Sequence, residues 1–206
     1  MKPSAISNMT DTISKLTVLF TRFPGIGPRQ ARRFVYFLLS QDKSYVESLL
    51  NQIKELRSGV NQCPECFRYY MSKQCELCYD TNAEQSILLI VEKDADLDNI
   101  RKTGNYHGRY FVLGGLLPIL EEKPETRIRN YELGIRLKKD KKIKEVIIAL
   151  SANTLGDHTL EFLRLEISKF PNIKISTLGR GLSTGSELEY ADGATLSAAL
   201  ESRRRY

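Results

Sequence analysis

Ser86-Ile-Leu-Leu-Ile-Val-Glu92 carries five consecutive aliphatic residues, Ile87 to Val91, ahead of a carboxylate. A strand with one wet face alternates apolar and polar residues. An unbroken short run reads instead as a strand buried on both faces, the habit of parallel sheets. Two further runs of this kind follow, Tyr110-Phe-Val-Leu113 and Val146-Ile-Ile-Ala-Leu150, and a fourth strand is read at Ile173 to Leu178. Between them, helical patterns cover roughly 95–103, 125–140 and 157–169. This strand–helix alternation over 81–178 predicts an α/β unit, a doubly wound parallel sheet with flanking helices.

Upstream, residues 1–58 read as an all-α part. Ile13, Leu16, Phe20 and Phe23 recur at helical spacing, with Leu19 beside them. Pro24-Gly-Ile-Gly-Pro28 must break that helix, and Pro28 is suited to open the next. Ala31, Phe34, Val35 and Leu38 line one side of this second helix. A third carries Val46, Leu49, Leu50, Ile53 and Leu56 and closes at Ser58-Gly59. The bend at Gly25 and Gly27 exposes backbone N–H groups beside a helix start, a natural phosphate site. Arg29 and Arg33 project from the same helical face. They would position a nucleic acid without reading its sequence. The alternative is a plain helical hairpin with a solvated arginine face. A dinucleotide fold is excluded, because no strand precedes the glycines and the longer glycine spacing is missing.

All four cysteines lie in residues 59–80, as Cys63-Pro-Glu-Cys66 and Cys75-Glu-Leu-Cys78. Two such knuckles can close a tetrahedron around one structural zinc ion. A closed site leaves no position for substrate, and it would fold a segment too short to bury its own core. Two disulfides or redox-active pairs are the alternative.

Glu92, Asp94 and Asp96 cluster where the first strand ends, followed by Asp98. Ligands of open α/β sheets bind beyond such ends. Acids there can hold Mg2+ for phosphoryl chemistry, provided a neighbouring strand supplies more. Ser151-Ala-Asn-Thr-Leu-Gly-Asp157 offers only Asp157. Capping of the following helix by Asp94 and Asp96 is the simpler reading. His107 and His158 have no evident partner and read as surface or packing residues.

Lys and Arg number 31 against 25 Asp and Glu, a formal net charge of +6. That balance is compatible with nucleic acid but does not by itself identify it. No run approaches the length of a membrane span, and the first residues lack a signal-peptide pattern. The expectation is a cytoplasmic protein. Residues 179–206 form a C-terminal segment with a short helical pattern, Ala194 to Leu200, and a basic end, Arg203-Arg204-Arg205.

In their order, these motifs resemble the bacterial RecR family. The resemblance is carried by Phe23-Pro-Gly-Ile-Gly-Pro-Arg29, the four cysteines, Ile90-Val-Glu-Lys-Asp-Ala-Asp96 and Thr103-Gly-Asn-Tyr-His-Gly-Arg-Tyr-Phe-Val-Leu-Gly-Gly115. It continues through Gly181-Leu-Ser-Thr-Gly-Ser-Glu-Leu-Glu-Tyr-Ala-Asp192 and Thr195-Leu196, so it spans about 12–205. It implies a helix-hairpin-helix part, a zinc finger, a Toprim-like sheet and a C-terminal segment for subunit contact. It further implies a non-enzymatic DNA-repair protein whose four subunits form a ring-shaped clamp. Such proteins act with RecO and RecF to load the recombinase RecA at single-strand gaps. By the same resemblance, Arg29 and Arg33 match DNA contacts, and Cys63, Cys66, Cys75 and Cys78 match zinc ligands. Glu92 matches the Toprim glutamate, and acids beside it (Asp94, Asp96) are linked to RecO contact or weak Mg2+ binding. The chain departs from the family at Leu150-Ser-Ala-Asn-Thr-Leu-Gly-Asp157. There Leu155 replaces a usual glutamate, and Asp157 stands in place of a second. That departure weakens the alternative of a Mg2+-dependent, Toprim-type nuclease or primase-like enzyme.

Overall fold

The computed structural model of the chain describes residues 4–120, 123 and 126–203; Arg204 and Arg205 of the basic end lie outside them. It divides into two compact units, Met1–Val60 and Asn61–Tyr206.

The first unit is helical: α1 (Ser4–Phe20), α2 (Pro28–Ser40) and α3 (Lys43–Gly59). α1 ends three residues before the last apolar position of its periodic pattern. Phe23 lies in the turn, because a residue ahead of proline is pushed out of the helical region. Its ring still packs on Phe20, with centroids 5.8 Å apart, and Phe20 meets Phe34 of α2 edge-on at 6.0 Å. Ala31 and Val35 of α2 are fully buried. Asp42 caps α3 by accepting from the Tyr45 amide at 2.8 Å. No residue of α3 is buried.

The second unit contains β3 (Glu84–Val91), β4 (Gly108–Val112), β5 (Glu145–Ala149) and β6 (Lys174–Thr177). They form one four-stranded sheet in the order β4-β3-β5-β6, every pair parallel. The chain steps from β3 to β4 on one side and then crosses to β5 on the other. The winding therefore reverses between β3 and β5, where α/β sheets open a crevice. Between the strands run α5 (Asp94–Lys102), α6 (Asn130–Lys139) and α7 (Thr154–Ile167).

The unbroken apolar run of β3 is buried on both faces. Leu88 and Ile90 join Val146, Ile148 and Phe111 against Leu133 and Leu137 of α6 and Leu163 and Ile167 of α7. Leu89 and Val91 turn the other way, with Tyr110 and Val112, against Leu97 of α5. Burying each such aliphatic side chain stabilises by about 1.5–3 kcal/mol.

The helix expected over 125–140 begins only at Asn130. Its lead-in serves the sheet instead: the Arg129 amide donates to the Leu113 carbonyl at 2.9 Å, and Ile128 enters the core. Glu125 lies outside the described residues. α7 starts earlier than expected because Asn153 caps it, accepting from the Gly156 amide at 2.9 Å. The chain ends in α8 (Gly193–Glu201), capped by Asp192.

Candidate nucleic-acid hairpin and metal centre

The bend between α1 and α2 is a tight turn. The Ile26 amide donates to the Phe23 carbonyl at 3.1 Å, and Gly25 takes φ +74°. Proline then glycine at the two central positions, the glycine at positive φ, is the pattern of a type II turn. Gly27 is the N-cap of α2 and Pro28 its first residue, and no side chain caps this helix start. The amides of Arg29 and Gln30 have no acceptor among the described residues. Gly25, Gly27, Arg29 and Arg33 are all exposed, and neither arginine forms an ion pair among the described residues. A helix N-terminus with open amides carries partial positive charge, and the two guanidinium groups add whole ones.

The cysteines converge. The Cys63 and Cys78 sulfurs lie 3.7 Å apart and those of Cys66 and Cys75 3.6 Å apart. All four ligand atoms fall within 4.8 Å of one another, and three of the cysteines are buried. These gaps are far too long for disulfides. They suit four thiolates on one tetrahedral ion, whose sulfurs stand about 3.8 Å apart. A hydrogen bond from Cys66, helped by Cys63 and the nearby Arg136 charge, pulls the Cys78 thiol down to about 6. The same pairing and burial push Cys66 up. Among the described residues this is the single set of three or more metal-ligating side chains brought together.

Two short elements frame the knuckles: a hairpin of β1 (Asn61–Gln62) and β2 (Tyr69–Tyr70), and the single turn α4 (Glu76–Tyr79). Phe67, just after Cys66, adopts φ +61°, uncommon for a bulky residue. Its ring is held between Phe111, at 5.4 Å, and the Arg129 guanidinium, at 5.2 Å. The segment is fastened to the sheet by polar contacts. The Val112 amide donates to the Cys66 carbonyl at 2.8 Å, on the outer edge of β4. Arg109 donates to the carbonyls of Leu77, at 2.9 Å, and Cys78, at 2.5 Å. Arg136 of α6 pairs with Glu65, which also accepts from Lys139 at 2.8 Å. Three arginines that count towards the net charge thus hold this junction together. The charge sum gave no hint of this, although their positions in or just before strand and helix patterns could have.

The acids do not form a cluster of ligands. Glu92 directly follows β3 at the winding reversal and accepts from the Ser151 hydroxyl at 2.9 Å, with the Lys93 ammonium 3.6 Å away. Asp94 accepts from the Tyr69 amide at 2.8 Å, tying α5 to the metal segment. Asp96 accepts from the Lys93 amide at 3.2 Å and so caps its own helix. Asp157 pairs with Arg180, which holds its carboxyl below the usual range. His158 lies 3.3 Å from the Leu117 carbonyl and serves packing; His107 is exposed.

A helical hairpin with open amides, a four-thiol centre and a parallel sheet with an acidic strand end define a modular protein of helix-hairpin-helix and Toprim-like parts. Residues 13–57 match the family described as RecR, helix-hairpin-helix; 86–179 match the Toprim domain; 181–204 match RecR, C-terminal. A recombination protein RecR from Dehalococcoides mccartyi is 34% identical over 206 residues, the whole of both chains. Others from a Synechococcus species and Bifidobacterium adolescentis are 36% and 35% identical, covering 93% of this chain and 99% and 95% of theirs. The chain belongs to the RecR family of recombination proteins. No helix among the described residues is long and apolar enough to cross a membrane.

Proposed function

We propose that this chain is a non-enzymatic DNA clamp, acting in the cytoplasm with RecO and RecF to load RecA at single-strand gaps. The observation that carries the DNA contact is the bend. Gly25 and Gly27 leave amides open, and Arg29 and Arg33 form no ion pair among the described residues. Phosphates would be gripped without base reading. One subunit offers few contacts, so a ring of four would multiply them. Apolar surface supports assembly: Ile53 and Leu56 of α3 are 53% and 63% exposed, and Leu188 and Tyr190 64% and 80%. Residues 1–58 would face DNA, 59–80 hold one structural zinc, 81–178 form the Toprim body and 179–206 meet a neighbouring subunit. Zinc is the ion that suits four thiolates, three of them buried, in a closed tetrahedron. The acids at Glu92, Asp94 and Asp96 would serve partner contact with RecO better than Mg2+ catalysis, since each already has a protein donor.

Fluorescence anisotropy against single-stranded and duplex DNA over a salt series tests this. The Arg29→Ala, Arg33→Ala double variant should bind more weakly at every salt level. Its log–log salt slope should fall by about 1 per arginine per subunit engaged. Unchanged affinity at low salt would remove the bend from DNA contact. Light scattering with and without DNA reads the subunit count.

A further inference from the structure

The chain's excess positive charge is concentrated at one edge of the sheet. Lys138-Lys-Asp-Lys-Lys-Ile-Lys144 joins the end of α6 to β5 and sets five lysines against one aspartate. Arg136 engages that aspartate, Asp140, and Lys139 is taken up by Glu65. Lys138, Lys141, Lys142 and Lys144 are exposed and form no ion pair among the described residues. Lys174, the first residue of β6, is likewise exposed and without an ion pair among them.

The sheet gathers these charges. The Lys144 amide donates to the Ser86 carbonyl and the Lys174 amide to the Lys144 carbonyl, each at 2.8 Å, so the entry ends of β3, β5 and β6 lie side by side. Lys141, Lys144 and Lys174 wall one open cavity of about 460 Å3, together with Ser86 and Asn172. One acid, Glu145, shares that wall and accepts from the Ser176 hydroxyl at 2.6 Å. Glu84, at the start of β3, lies near enough to feel the Lys144 charge and accepts from the Ser86 amide. Five unpaired lysines against these two carboxylates leave three positive charges at this edge, half of the chain's net +6. Helix polarity explains little of this, because a helix end attracts cations only within its last turn. Lys138 qualifies, whereas Lys144 and Lys174 stand at strand starts. Their mutual repulsion costs stability, and a polyanion would relieve it.

We propose that this entry edge is a second nucleic-acid surface, which holds the phosphate backbone of a DNA strand through Lys141, Lys144 and Lys174. The amides of Lys144 and Lys174 are spent on neighbouring strands and cannot wrap a single phosphate. What remains is a set of flexible point charges, suited to a run of phosphates and blind to base sequence. An acidic protein is the poorer fit, because protein–protein interfaces are depleted in lysine. The edge shares no residue with the hairpin. It rests on the reading of the chain as DNA-binding, but the two contacts can be tested apart.

The test is fluorescence anisotropy of the full chain with labelled single-stranded DNA over a salt series. It compares the unaltered chain, Lys141→Gln with Lys174→Gln, Arg29→Ala with Arg33→Ala, and all four changes together. Lys73→Gln with Lys102→Gln removes the same charge from elsewhere in the second unit. The edge variant should bind about threefold or more weakly at low salt, with a salt slope lower by about 1 or more, and should weaken the hairpin variant by a similar factor. The Lys73, Lys102 control should stay within about 1.5-fold of the unaltered chain. Lys141→Arg with Lys174→Arg keeps the charges and should bind like the unaltered chain, which separates lost contact from lost folding. Weakening by the edge variant alone, with the hairpin variant binding normally, would remove the hairpin reading and leave this one standing. Four results would each overturn the proposal: no loss on the edge variant in either background, an equal loss in the control, no recovery with arginine, or polyglutamate competing as well as unlabelled DNA of equal charge.

Discussion

The Ser151 hydroxyl donates to Glu92 at 2.9 Å, joining the ends of β5 and β3 where the winding reverses. A hydroxyl stands here beside the glutamate, and the loop's acid, Asp157, is paired elsewhere with Arg180. Ser151→Ala should therefore cost a hydrogen bond and nothing catalytic. The expected loss is about 0.5–1.5 kcal/mol, read as a lower urea midpoint at unchanged slope. Mg2+ should not change the melting temperature of either protein beyond the effect of equal ionic strength.

Metal removal should act well beyond the knuckles. Stripping the ion with a chelator and a thiol reagent, or replacing Cys66 with Ser, frees the loop that accepts from Val112. Hydrogen exchange at the Val112 amide should speed up by more than tenfold, while the Ala31 amide of α2 keeps its protection. Equal loss of protection in both units would show that the metal governs the whole chain and not this edge.

Gly156 lies in the first turn of α7 and is buried. A Cβ on it would collide with the Ser151 carbonyl, which is backbone and cannot swing aside. Gly156→Ala should destabilise by about 1–3 kcal/mol, against the small gain alanine normally brings to a helix. Thermal unfolding of the purified variant decides this, with Gly134→Ala as the control, since nothing stands within 4 Å of a Cβ there.

The Asp157–Arg180 pair gives the C-terminal segment a pH dependence. The Arg180 hydrogen bond lowers the Asp157 carboxyl from its usual 3.8. A depressed carboxylate adds stability above its unfolded value and loses it as pH falls through the folded one. Docking of residues 179–203 should thus be flat from pH 7 to about 5 and loosen below about 4. Asp157→Asn should loosen it above that transition, match the unaltered chain below it, and abolish the transition itself. Exchange protection at Ser202, whose hydroxyl bonds the Arg180 carbonyl at 2.8 Å, reports the change.

Much of this was legible in the residues themselves. The aliphatic run Ile87–Val91 announced a strand buried on both faces, and the doubled cysteine pairs announced a closed centre. Gly25 and Gly27 marked the bend because proline and glycine act through local backbone geometry. What lay hidden depends on partners far apart in sequence. Asp94 reads as a cap of its own helix, or else a metal ligand, until the Tyr69 amide is seen to occupy it; Asp96 alone does the capping. Nothing near Arg109 in the sequence signals that Leu77 and Cys78, some thirty residues earlier, present their carbonyls to it. The early start of α7 turned on Asn153 as a cap, a local signal that was present and passed over.

The Val112–Cys66 bond leaves the sheet with one closed margin and one open. Any foreign strand seeking to extend it must dock at β6, which is four residues long and begins with Lys174. Short, charged margins resist such templating. With the four cysteines left without a metal ion, the molecule would offer a second, more apolar margin at Tyr110–Val112, so metal-free protein should be prone to clumping as well as unfolding.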